Sequence, residues 1–172
     1  MTSIAHHVAP TTFGDLRSLL QRAPSAEVWE TMCDALANWP DPFELAEVAL
    51  PYALAHASAW PDAMRVCPAR WVDGVSRGAQ APIFAVIRTL DLRKRGLSDA
   101  DVQTLARAPA LRHVRQLWLN DNFFTLRGLG ALAESPHLTR LEVLWLDGVP
   151  MRDVGVALLT RGPSLQQLRE LS

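Results

Sequence analysis

Val114-Arg115-Gln116-Leu117-Trp118-Leu119-Asn120-Asp121-Asn122-Phe123-Phe124 is the stretch on which the fold turns. Alternation sends Leu117 and Leu119 to one side and Gln116, Trp118 and Asn120 to the other, the pattern of a half-buried strand. The same pattern stands 27 residues earlier as Leu90-Asp91-Leu92 and 27 residues later as Leu144-Trp145-Leu146, and Leu171 opens a fourth copy. Other columns keep step: Phe84, Leu111, Leu138 and Leu165; Ile87, Val114, Leu141 and Leu168; Leu97, Phe124 and Met151. Each unit closes on helical spacing, with Val102, Leu129 and Val156, then Leu105, Leu132 and Leu159, expected inside. Pro109, Pro136 and Pro163 follow these stretches where a proline would end a helix. A fixed period of this size predicts a solenoid.

With these columns in place, residues 84–172 resemble the leucine-rich repeat family, whose pattern is LxxLxLxxNxL. The middle unit matches as Val114-x-x-Leu117-x-Leu119-x-x-Asn122-x-Phe124. The second half of the units, with Gly128 and Gly155, then Leu132 and Leu159, is similar to the ribonuclease-inhibitor-like or cysteine-containing types. The resemblance implies parallel strands on a concave side, helices on a convex side, and an asparagine side chain bonding backbone groups of the neighbouring turn. That position is Asn122 in the middle unit but Arg95 and Val149 beside it, where the turns must satisfy their backbone by other means. Ser98 and Thr125 are placed to cap helices, Ser98 with Asp101 three residues on; Arg152 makes a weaker start.

Residues 11–82 follow a different grammar. Residues 15–22, 26–38 and 43–50 have helical spacing, Asp41-Pro42 is a helix start, and Pro24, Pro40, Pro51, Pro61, Pro68 and Pro82 divide the half into short pieces. Trp29, Trp39, Trp60 and Trp71, with Tyr52 and Phe43, are its expected core. The expected fold class is thus α/β. A flexible tail spans residues 1–10, an α-helical capping domain 11–82, and a short leucine-rich repeat solenoid of about three and a half units 83–172.

A formal net charge of −1 gives no broad electrostatic footprint for nucleic acid or an anionic membrane. The longest apolar run, Val48 to Trp60, is too short to span a bilayer and contains Pro51 and His56. With only Cys33 and Cys67 there is no disulfide framework, and both are expected to be buried, inert thiols in a cytoplasmic protein. No phosphate loop or nucleophile elbow is present, and the histidines are scattered, so the expectation is no enzyme, no cofactor and no metal.

The binding signal is the pair Trp118 and Trp145, which share an outward column with Asp91 and Ser172. Neighbouring strands lie about 4.8 Å apart, so the two indoles are adjacent. Tryptophan is enriched at binding hot spots, although the pair could also stack on itself or be covered by the helical half. Thr89, Gln116, Val143 and Glu170 flank one side; Arg93, Asn120 and Asp147 flank the other. Arg88, Arg93, Lys94 and Arg95 make the first unit basic, whereas Glu142, Asp147 and Asp153 make the third acidic, an order that can orient a partner.

The expected function is non-catalytic binding of a protein partner through Trp118, Trp145, Asp91, Arg93, Gln116, Asn120, Val143 and Asp147. Two alternatives stand beside it. One is assembly into a homodimer through the fourth strand, where Leu171-Ser172 stops in mid-unit without a cap. The other, at the level of fold alone, is regulation of an enzyme or small GTPase.

Overall fold

The protein is described from a computed structural model covering residues 11–77, 81–150 and 152–172; the tail expected over residues 1–10 and Met151 of the Leu97 column lie outside these. Local chemistry starts each helix of the first half. Thr12 accepts the Asp15 N–H to cap α1 (Phe13–Leu20), and Ser25 accepts the Val28 N–H to cap α2 (Ala26–Ala37). Asp41 caps α3 (residues 42–57), which has Pro42 in its first turn. Helix α4 (Ala69–Ser76) buries Trp71, Val72 and Val75.

Pro51 does not divide this half as expected, because α3 runs through it. The turn before it, Leu45–Ala49, is a π-helix, and the Leu50 N–H reaches back five residues to the Leu45 carbonyl. A proline lacks an N–H and crowds the preceding turn, and a widened turn accommodates both. Trp29, Trp39, Trp60 and Trp71 are all buried. Phe43 is not in the core: it sits in the first turn of α3, a turn with no buried residue, and is 74% exposed. Tyr52 is half-buried, edge-on to Phe13.

In the second half, strands β1 (Thr89–Asp91), β2 (Gln116–Trp118), β3 (Val143–Trp145) and β4 (Glu170–Leu171) alternate with helices α5 (Asp99–Ala106), α6 (Leu126–Ala133) and α7 (Arg152–Arg161). The strands form one parallel sheet in chain order, and Leu90, Leu117, Leu144 and Leu171 pair in register. Ser98 caps α5 in a reciprocal box with Asp101, and Thr125 caps α6. Asn122 is buried and holds two turns at once. Its amide donates to the carbonyls of Leu92 and Leu119 and accepts the N–H groups of Arg95 and Leu97. One asparagine thereby serves the neighbouring unit, where Arg95 stands at the equivalent position.

The expected leucine-rich repeat solenoid is corrected. Among the described residues the fold is α/β with seven helices and a single four-stranded parallel sheet, whose strands are too few and too short to make a clear solenoid. Lys94 and Asp121, both at φ 57°, and Gly148 at φ 79° turn the chain into the left-handed region three residues after β1, β2 and β3. Here one continuous core runs from Leu16 to Leu165 through both halves, with the inward leucines of all four strand columns but Leu171 buried in it.

The halves are joined at β1. Val66 pairs in parallel with Thr89, the Cys67 N–H donates to the Thr89 carbonyl, and the Trp29 indole donates to the Val66 carbonyl at 2.7 Å. Two column expectations also change. Thr89 is buried, its hydroxyl held by the Asp62 carbonyl at 2.7 Å. Val156 is 43% exposed, because α7 turns Gly155 and Leu159 inward and packs against a helix on one side only. No helix among the described residues is long and apolar enough to cross a membrane.

Candidate functional site

The alternation of β2 and β3 turns Trp118 and Trp145 to the same face, and their register sets them side by side. The indoles stack, with ring centroids 4.8 Å apart and planes 10° from parallel. Of the arrangements open to the pair, each ring therefore covers one face of the other, and both residues remain partly exposed. The Arg93 guanidinium lies 4.8 Å from the Trp118 ring centre, which places a cation at one end of the stack.

Asp91 holds that cation in place. Its carboxylate accepts Arg93 Nε at 2.9 Å, Nη2 at 2.7 Å and the Arg93 backbone N–H at 3.1 Å. The forked pairing keeps the Asp91 carboxyl below its ordinary pKa and raises that of Arg93.

At the other end, the Trp145 indole donates to Glu170 at 2.9 Å, and the Ser172 hydroxyl donates to Asp147 at 3.0 Å. Asp147 also accepts the Asn120 amide. Gln116 accepts the Thr89 hydroxyl at 3.3 Å, and Val143 stands half-buried between Gln116 and Glu170 on the same face. All eight residues picked out by the sequence thus share one surface. Two buried polar atoms within it, Trp118 Nε1 and Asn120 Oδ1, have no hydrogen-bond partner among the described residues.

The charge order differs from the one expected. Arg88 leaves this surface altogether, donating to the carbonyls of Ala85 and Ile87 at the far end of the strands. Arg93 is neutralised by Asp91, and Lys94 lies 4.0 Å from Asp121. Glu142 pairs with Arg115 and Arg169. Asp147 and Glu170 are both exposed and have no cationic partner among the described residues, so the site is acidic at its β3–β4 end.

Cys33 and Cys67 are free and buried, and burial raises both thiols, Cys67 to about 12. No group of three or more histidine, cysteine or acidic side chains is placed to hold a metal among the described residues. In comparisons with known proteins, the chain matches no family model and no curated protein.

Proposed function

We propose that the chain is a non-catalytic protein-binding module whose outward sheet face takes a basic segment of a partner. The observation that carries this reading is the asymmetry of the stack. Arg93 occupies the outer face of Trp118, whereas the column beyond Trp145 continues only with Ser172, too small to cover an indole. A lysine or arginine of the partner laid on Trp145 completes the series cation, indole, indole, cation, with the carboxylates of Asp147 and Glu170 beside it. Desolvated cation–π contacts of this kind contribute about 2 kcal/mol, and tryptophan is a frequent anchor of interfaces. The two free thiols fit a reducing compartment, and the cytoplasm is the location this reading assumes.

Selection of peptides from a random library on the immobilised protein tests the reading. Binders should carry a lysine or arginine and should lose about tenfold or more in affinity for Trp145→Ala and for Asp147→Lys, in keeping with a hot-spot anchor and a reversed charge. Peptides that bind both variants as well as they bind the unaltered protein overturn it.

A further inference from the structure

The 27-residue interval also sets out a column at the opposite ends of the strands. Arg88, Arg115, Glu142 and Arg169 come just before β1 to β4, and from Arg115 onward each donates its N–H to the carbonyl of the one before. Arg112 and Arg140 join Arg88 around His113, and Arg65 lies near Arg88 and Arg115 on the same rim. Two carboxylates belong to the cluster, and both face Arg115: Asp62 at 3.6 Å and Glu142 at 3.4 Å.

Glu142 also pairs with Arg169 at 3.6 Å, and the Asp62 charge reaches Arg65 and Arg88, but none of Arg65, Arg88, Arg112 and Arg140 has an ion pair among the described residues. Arg88 donates only to backbone carbonyls. Arg65, 3% exposed, donates Nε to the Val86 carbonyl and leaves Nη2 without a partner among the described residues. Arg112 and Arg140 are exposed and make no hydrogen bond or ion pair among the described residues. Their field is felt by the buried groups. Burial, and then the charge of Arg88, bring Arg65 down to about 10; burial, and then Arg112, Arg88 and Arg140, press His113 to about 4. Like charges gathered at a low-dielectric wall repel one another and attract an anion from solution.

Beside this cluster opens a cleft of about 450 Å³, lined by Leu50, Ala81, Pro82, Ala85, Arg112 and His113. Its wall is apolar and its mouth cationic. We infer that the cleft binds an oxyanion, a carboxylate or a phosphate, carried on an apolar body. Arg112 and Arg140 take the anionic group, and Leu50, Pro82 and Ala85 take the body. The cleft lies at the other end of the strands from the tryptophan stack, so a ligand here does not depend on what binds there.

Titration of the full chain with hexyl phosphate, hexanoate, inorganic phosphate and hexanol, read from the His113 imidazole resonances, tests the site. Hexyl phosphate or hexanoate should shift them saturably, the tighter of the two naming the preferred oxyanion. Inorganic phosphate should bind at least about tenfold more weakly for want of an apolar body. Hexanol should not bind. The double variant Arg112→Gln and Arg140→Gln, altered only at exposed side chains, should lose about tenfold or more in affinity, while Arg107→Gln should not. No saturable shift with either organic anion overturns the site. So does equal binding of hexanol or of inorganic phosphate, or affinity unchanged in a double variant whose native spectrum is intact.

Discussion

Asp99, in the first turn of α5, accepts the backbone N–H of Gly128, in the first turn of α6, at 2.8 Å. The same carboxylate accepts the N–H of Thr125 at 2.8 Å and its hydroxyl at 2.9 Å, so one helix caps the next. Asp99→Ala should lower stability by about 1 kcal/mol, the ordinary worth of a helix cap near water, measured by denaturant unfolding. Asp99→Asn, which keeps one acceptor, should lose less.

The same bonds set a pH dependence. The backbone bond of Thr125 leads in holding Asp99 below its usual pKa, and bonds from Arg93 and Ser98 do the same for Asp91 and Asp101. A carboxyl whose folded pKa is depressed contributes stability that is complete above its unfolded value of about 4 and is lost as pH falls through the folded value. The unfolding midpoint should therefore hold steady near neutrality and drop below about pH 4. The drop should be shallower in Asp99→Asn than in the unaltered protein.

Two glycines of α6 should respond in opposite senses to alanine. A Cβ on Gly130 meets nothing within 4 Å, and Gly130→Ala should stabilise by about 1 kcal/mol through helix propensity. At Gly128 a Cβ would stand 2.9 Å from Asp99 Oδ1 and 3.1 Å from two atoms of Phe124. Gly128→Ala should destabilise by about 1–2 kcal/mol, since it displaces the cap and crowds a fully buried ring. Paired melting curves decide the signs.

Asn122 is the most exacting polar residue of the sheet half. Its replacement by alanine strips partners from two buried carbonyls and two N–H groups, and it should cost about 3 kcal/mol at typical penalties for unmade buried bonds. A loss under about 1 kcal/mol in urea unfolding would mean that water replaces the amide.

The thiols offer a kinetic test. Both cysteines are buried and hold their protons well above the usual thiol range, so alkylation at pH 8 should proceed only as fast as the protein opens. Modification at the rate of a free thiol would contradict their burial.

The face of the sheet was legible in the sequence because a period of two within a period of 27 leaves little choice of register. Leu117 and Leu119 had to face inward, and Trp118 had to meet Trp145. The stacking of the indoles, and the use of Arg93 by Asp91, depended on side-chain rotamers that no spacing encodes. The left-handed turns escaped notice because Lys94 and Asp121 stand where only Gly148 advertises the conformation. The basic rim was hidden for a different reason. Arg65 and Asp62 enter it from the helical half, where Val66 meets Thr89 after 23 residues and breaks the interval. Phe43 and Val156 read as core from hydrophobicity alone, yet they are 74% and 43% exposed.

The pairing of Val66 with Thr89 also bears on how the protein behaves in a crowded solution. A bare parallel edge is a template on which a second chain can add a strand and begin a fibril. At β1 the backbone groups that would recruit such a strand are already taken by residues 65–67, and a buried arginine lies directly behind them. Any chain displacing that segment would have to expose Trp29 and strand the Arg65 charge. The helical half therefore guards this side of the sheet against aggregation.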